Sequence, residues 1–227
     1  MLWLMVHIPK TAGTSFRKAM RDHFGAALQL DYDDRPFGTT PLRRLLSAWW
    51  HGRRSGRLVL PDEHGIFGHF LPLKYAALSR ARPTRLITWL REPVARAVSN
   101  YHFIFERHRR KELPPGRSRV VDEQWSLERF LFSRKYRDYQ SQWLVGVPLR
   151  RFDFVGIVEH YADDLAEFGA RFLGRPLAVH DEKRAAPRAP CEFLDDPAAR
   201  RRVERFHARD MALYREALAL REARPRA

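Results

Sequence analysis

Residues 2–15, which read LWLMVHIPKTAGTS, decide the fold. Leu2 to Ile8 form a continuous rather than alternating apolar run, which is typical of a central parallel strand covered on both faces. In the segment that follows, apolar residues recur at helical spacing, namely Phe16, Ala19, Met20 and Phe24. The segment therefore predicts a buried strand, a tight loop and a helix.

A second unit of the same kind lies further along the chain. Residues 85–90 predict a buried strand, residues 91–93 a turn with proline near the first helical position, and residues 94–105 a helix. Further strands are expected near 28–32, 65–70 and 152–158, and helices over 41–50, within 125–146, over 161–173 and from about 197 to 223. This alternation predicts an α/β protein with an open, mostly parallel sheet flanked by helices, in a single domain spanning residues 1–227.

Composition limits the class of protein. The 227 residues are 44% hydrophobic, so the chain can bury a core. Lysine and arginine number 42 against 27 acidic residues, and the net charge of +15 favours anionic ligands. The single cysteine excludes an internal disulfide, and no apolar run of about 20 residues is present. We do not expect residues 1–10 to act as a signal peptide, because they lack a basic start and a cleavage site. We therefore expect a protein without a transmembrane segment, in the cytoplasm.

The loop after the first strand predicts an oxyanion site. A glycine-containing turn that leads into a helix presents backbone N–H groups and the positive end of the helix dipole to an anion. The order of residues is not that of a Walker A loop, because the lysine precedes the glycine. An ordinary strand-to-helix turn with a good N-cap is the alternative. The predicted anion-binding residues are Lys10, Thr11, Ala12, Gly13, Thr14 and Ser15.

Both units resemble known motifs. Residues 7–15 (HIPKTAGTS) resemble the 5′-phosphosulfate-binding loop of the Golgi-type carbohydrate sulfotransferases, which include the heparan sulfate 2-O- and 6-O-sulfotransferases and related bacterial proteins. Residues 90–101 (LREPVARAVSNY) resemble their 3′-phosphate motif, R-[DE]-P-x-x-R-x-x-S. Weaker similarity continues in residues 139–146, 156–159 and 210–214. The resemblance thus spans nearly the whole chain.

The resemblance implies a P-loop NTPase-like sulfotransferase fold in a bacterial protein. It implies 3′-phosphoadenosine 5′-phosphosulfate (PAPS) as donor, adenosine 3′,5′-bisphosphate (PAP) as product, and Arg91 and Ser99 as ligands of the 3′-phosphate. Lys10 is our candidate for the catalytic cation at the bridging oxygen. No metal is expected, because the later strand delivers Arg91 where a kinase would need a carboxylate for Mg²⁺. Lys183 and Arg184, in a late basic loop, are expected to close over the donor.

His69 is the predicted catalytic base. It lies in the segment Gly68-His69-Phe70 that ends the apolar run of residues 65–70, where a strand of an α/β sheet places side chains at the carboxyl edge. The alternative is a buried, hydrogen-bonded histidine without a catalytic role. His7 is the rival base, although it is better placed to order the donor loop. Glu63 and Glu92 remain alternative bases, whereas His102, His108 and His207 are expected to be solvated.

The acceptor is expected to be a saccharide or glycoconjugate hydroxyl, on an anionic molecule if the basic loop takes part. The basic loop of residues 107–119 could hold acidic groups, and candidate stacking surfaces are Trp49, Trp50, Trp125 and Trp143. Two other functions stay open: a P-loop kinase-like phosphotransferase, and a basic nucleic-acid-binding protein. Against the second, the aromatic residues follow core periodicity, so we expect no nucleic-acid partner.

Overall fold

The fold is built on one sheet of five parallel strands. The computed structural model describes residues 1–34, 40–55, 62–112, 116, 118–177, 179 and 192–225. Within them the strands are β1 (Leu2–Val6), β2 (Leu28–Asp31), β3 (His64–Gly68), β4 (Thr84–Leu90) and β5 (Phe154–Ile157). The helices flanking this sheet complete an α/β architecture, and the predicted fold class is confirmed.

The strand order places β1 in the middle of the sheet. The order is β2-β3-β1-β4-β5, so β1 pairs with β3 on one side and with β4 on the other. Val6 at the end of β1 lies opposite Gly68 of β3 and Thr88 of β4. Parallel strands bring their carboxyl ends to one edge, and a crevice forms there where the strand order reverses. That reversal occurs at β1.

The helices of the described residues range from single turns to 17 residues. They are α1 (Gly13–Phe24), α2 (Pro41–Ser55), α3 (Ala76–Ala81), α4 (Pro93–Arg109), α5 (Arg119–Asp122), α6 (Leu127–Leu131), α7 (Tyr139–Trp143), α8 (Tyr161–Leu173), α9 (Glu192–Asp195), α10 (Pro197–Phe206) and α11 (Ala208–Glu222). Short 3-10 turns occupy residues 25–27, 72–75, 134–136, 149–151 and 158–160. The predicted helical region 125–146 is therefore divided between α6, a 3-10 turn and α7.

Both faces of β1 are buried, which explains its continuous apolar run. Trp3 and Met5 pack on one face with Phe16 of α1 and Phe168 of α8. Leu2, Leu4 and Val6 pack on the other face, in the cluster that includes Trp143 of α7 and Tyr214 of α11. A strand covered on both sides needs apolar residues at every position.

The predicted single helix from about 197 to 223 is instead two helices that meet at His207. Our expectation that His207 is solvated was also wrong, because its side chain is 1% exposed. Its Nε2 donates to the Leu131 carbonyl at 2.9 Å, and its Nδ1 accepts from the Asp138 N–H at 3.2 Å. The break lets the imidazole satisfy two buried backbone groups, which an uninterrupted exposed helix would not do.

Candidate functional site

Three loops meet at the carboxyl edge of the sheet. Residues 7–12 follow β1, residues 69–71 follow β3, and residues 91–92 follow β4. Since β1 lies between β3 and β4, its loop lies between His69 and Arg91. The structure thus brings together the two motifs and the histidine that the sequence analysis selected.

The loop after β1 turns sharply into α1. Lys10 and Ala12 adopt left-handed backbone conformations, with φ of 74° and 57°. Such conformations cost non-glycine residues about 1–3 kcal/mol each and cluster at ligand sites. The N-cap residue is Ala12, whose methyl group cannot cap the helix. This is not the ordinary capped turn that was the alternative interpretation.

The start of α1 presents the donors expected of an oxyanion site. The first intrahelical bond is donated by the Phe16 N–H to the Ala12 carbonyl, so the N–H groups of Gly13, Thr14 and Ser15 have no partner within the helix. Thr11 differs from our expectation. It is 1% exposed, and its hydroxyl donates to the Ile8 carbonyl at 2.8 Å, so it braces the loop from inside.

His7 forms the floor of this loop. A Cβ atom at position 13 would lie 1.8 Å from His7 Nε2, so only glycine allows the ring to pack there. The ring stacks on Phe67 with centroids 5.2 Å apart. Burial first, and then the neighbouring His69, hold the pKa of His7 well below its usual value. A neutral, enclosed imidazole fits the loop-ordering role better than that of a base.

His69 is oriented by a backbone hydrogen bond. Its Nδ1 lies 2.5 Å from the His7 carbonyl oxygen, which can only accept, so the proton of the neutral ring is on Nδ1. Nε2 then carries the lone pair. Burial lowers the pKa of His69, and the bond to His7 partly offsets that effect. The ring is flanked by Tyr32 and Trp143, with centroid distances of 4.8 and 5.5 Å.

Lys10 extends toward α4. Its Nζ lies 4.0 Å from the centroid of the Phe103 ring. Ser99 is one helical turn before Phe103 and therefore on the same face of α4. Ser99 is 2% exposed. The two sequence motifs thus meet where the loop after β1 packs against α4.

Arg91 occupies the turn between β4 and α4. Burial lowers the pKa of its guanidinium, and its Nε is buried with no hydrogen-bond partner among the described residues. Its nearest carboxylate contact is Glu159, with Nε and Oε1 3.9 Å apart. The turn itself is held by Gln140, a residue to which the sequence analysis gave no role.

Glu92 and Glu63, the alternative bases, lie in different settings. The Glu92 carboxylate caps α4 by accepting the N–H groups of Val94 and Ala95 at 3.1 and 2.6 Å. Glu63 immediately precedes β3, at the opposite edge of the sheet from His69. The Glu92 carboxylate is thus engaged as a helix cap, and Glu63 lies away from the edge where the three loops meet.

The remaining candidates divide into exposed and buried residues. Trp143 belongs to the core at 1% exposure, whereas Trp49 and Trp50 on α2 are 54% and 57% exposed. The Trp125 Nε1 donates to Glu123 at 3.0 Å. Lys183 and Arg184 lie outside the described residues.

The basic loop is less cationic than its sequence suggests. Arg109 and Arg110 both pair with Glu106 at 2.7 Å. Elsewhere among the described residues of the loop, Arg107 pairs with Glu112 at 3.5 Å and Arg119 with Glu123 at 2.7 Å. These internal carboxylates neutralise part of the charge that could attract an acidic acceptor.

Among solved structures, the chain is similar to a sulfotransferase. No family model matches the chain, and no curated protein matches it. A sulfotransferase from Alicyclobacillus acidocaldarius is similar at 17% identity with a TM-score of 0.48, over 96% of this chain and 94% of that one.

Across the described ranges, no helix is long and apolar enough to cross a membrane. Nor do the described His, Cys, Asp and Glu side chains include a group of three or more that could hold a metal ion.

Proposed function

We propose that this protein is a sulfotransferase that moves a sulfuryl group from PAPS to a hydroxyl of a saccharide or glycoconjugate. The observation that carries the proposal is the position of the loop after β1, between His69 on β3's side and Arg91 on β4's side. The similarity of residues 7–15 and 90–101 to sulfotransferase motifs supplies the identity of the donor.

The residues at this edge fit such a donor. The N–H groups of residues 13–15 and the positive end of α1 suit the 5′-phosphosulfate. Arg91, whose Nε atom is buried without a hydrogen-bond partner among the described residues, suits the 3′-phosphate together with Ser99. When bound, PAPS supplies the sulfuryl group. Lys10 stabilises the negative charge that develops on the leaving phosphate oxygen.

His69 handles the proton of the acceptor. Its Nε2 accepts the hydroxyl proton as the acceptor oxygen bonds to sulfur and the bond from sulfur to the leaving phosphate oxygen breaks. The His7 carbonyl, already bonded to Nδ1–H, stabilises the imidazolium that results. A positioned base of this kind contributes about 10²–10⁴ in rate.

Of the two aromatic rings that flank His69, Tyr32 is exposed and Trp143 is buried. The Tyr32 ring meets His69 edge-on and is 36% exposed, so it offers an apolar surface to a saccharide ring. Lys183 and Arg184 stay a prediction for closing the donor site. The net charge of +15 supports an acceptor that carries acidic groups.

A thermal-shift series with PAP, AMP, ATP and GTP tests the donor assignment. A ligand at about 100 times its Kd stabilises the folded state by about 2.7 kcal/mol. We expect PAP to raise the melting temperature most, in the presence of a chelator, and Arg91→Ala to remove most of that advantage. Stabilisation by ATP or GTP that requires Mg²⁺ would instead favour a kinase. Salt-sensitive binding of DNA without any response to PAP would favour a nucleic-acid-binding protein.

A further inference from the structure

The turn that carries Arg91 is held by an amide from a distant part of the chain. The Gln140 Oε1 accepts the Arg91 N–H at 3.0 Å, and the Gln140 Nε2 donates to the Arg91 carbonyl at 2.9 Å. Gln140 is 0% exposed. One side chain thus satisfies both backbone groups of Arg91, and it needs an acceptor and a donor on the same planar group to do so.

Gln140 is itself fixed by Asp210 of α11. One carboxylate oxygen of Asp210 accepts the Gln140 N–H at 2.9 Å, and the other accepts the Ser141 N–H and hydroxyl at 2.8 and 2.6 Å. Asp210 is 1% exposed, and burial raises the pKa of its carboxyl group. The hydrogen bonds from Ser141 and Gln140 lower that pKa and so partly offset the effect of burial. The start of α7 is therefore tied to α11.

A second contact from α11 reaches the same turn. The Tyr214 hydroxyl donates to Glu159 Oε2 at 3.0 Å. Glu159 Oε1 accepts the Glu92 N–H at 3.0 Å and lies 3.9 Å from Arg91 Nε. Asp210 and Tyr214 are one helical turn apart, so one face of α11 fixes the turn through two separate routes.

We propose that Gln140 is a positioning residue that sets Arg91 for the 3′-phosphate of the donor, an inference that rests on the proposed function. The backbone of Arg91 is immobilised from outside, while its buried Nε is left without a hydrogen-bond partner among the described residues. A cation held in place before binding loses less freedom when it meets a phosphate. Gln140 and Tyr214 then contribute to affinity for the 3′-phosphate without touching it.

The experiment compares PAP with AMP, which lacks only the 3′-phosphate. We expect Gln140→Met to weaken PAP binding about tenfold in calorimetry, because the Arg91 backbone is then no longer fixed before the phosphate binds. AMP affinity should change by less than about twofold, because AMP has no 3′-phosphate for Arg91 to bind. Gln142→Met is the matched control: it lies on the same helix, and its amide donates to the Arg137 carbonyl, away from Arg91. It should leave both affinities unchanged.

Tyr214→Phe tests the second route and keeps the idea testable if Gln140→Met does not fold. It removes only the hydroxyl, and we expect the preference for PAP over AMP to fall by about two- to threefold. An unchanged preference in the folded variants would overturn the positioning role, as would an equal loss of AMP and PAP affinity. If the wild-type protein itself does not prefer PAP over AMP, the donor assignment fails first, and the role of Gln140 falls with it.

Discussion

Replacing His69 with asparagine separates the two functions that we assign to its imidazole. The side-chain nitrogen of asparagine branches from Cγ as Nδ1 does, so it can still donate to the His7 carbonyl. Nothing replaces Nε2. The loop should therefore keep its shape while the base is lost.

The expected loss is in turnover. Removal of a positioned base lowers the rate by about 10²–10⁴, which corresponds to about 3–5 kcal/mol in the activation barrier. Affinity for PAP should stay within about twofold, because His69 faces the acceptor and not the nucleotide. The assay is a single-turnover measurement with PAPS and a saccharide acceptor, paired with calorimetry of PAP.

His64→Asn is the matched control for this variant. His64 is buried at the start of β3, the strand that His69 follows, and so lies at the opposite edge of the sheet. Its Nε2 lies 3.3 Å from Gln29 Oε1. It should keep the wild-type single-turnover rate. The reasoning is refuted if His69→Asn turns over at a rate close to that of the wild type, or if it loses PAP affinity instead of rate.

The pH dependence gives a second check on His69. Burial lowers the pKa of this base, so its neutral form should persist below the usual histidine value of 6.5. We expect the single-turnover rate to stay level as the pH falls through 6.5 and to decline only at lower pH. A decline that begins well above 6.5 would contradict the environment seen for His69.

Three further predictions concern Lys10 and Gly13 of the loop and the histidines His7 and His207. Lys10→Ala should abolish most turnover and leave the melting temperature nearly unchanged, and wild-type turnover in the folded variant would contradict the role of Lys10. Gly13→Ala should destabilise the protein by about 1–3 kcal/mol in denaturant unfolding, because the new methyl group overlaps the His7 ring; unaltered stability would show that the ring does not pack there. Burial lowers the pKa of both His7 and His207, so the unfolded chain binds more protons, and stability should fall as the pH drops below 6.5. Melting curves between pH 7.5 and 5 check this, and a flat profile would contradict it.

Local patterns were sufficient to predict the sheet and the two loops of the site. The apolar run of residues 2–8 and the turn at residues 91–93 lie next to the helices that they predict, so periodicity and turn residues identify them. The two loops lie at the same edge because parallel strands have their carboxyl ends on one side of the sheet. His69 was placed at this edge for the same reason, because it follows a predicted strand of the parallel sheet.

Contacts between distant residues could not be predicted in this way. Gln140 reaches Arg91 across 49 positions, and Asp210 reaches Gln140 across 70. The available signal was the weak similarity of residues 139–146 and 210–214 to sulfotransferases. It did not indicate what these segments do, because their contacts with the Arg91 turn are seen only in the folded structure. His207 was mistaken for a solvated residue because its charged sequence neighbours give no sign of the buried backbone groups that it bonds.

The central claim is sulfuryl transfer at the edge where β1, β3 and β4 end. Mass spectrometry of the protein incubated with PAPS, a chelator and a panel of neutral and acidic saccharides tests it most directly. We predict that PAP accumulates together with a saccharide carrying one added sulfuryl group, and that Lys10→Ala yields neither product. Absence of PAP with every saccharide, or phosphorylation of the same panel from ATP and Mg²⁺, would contradict it.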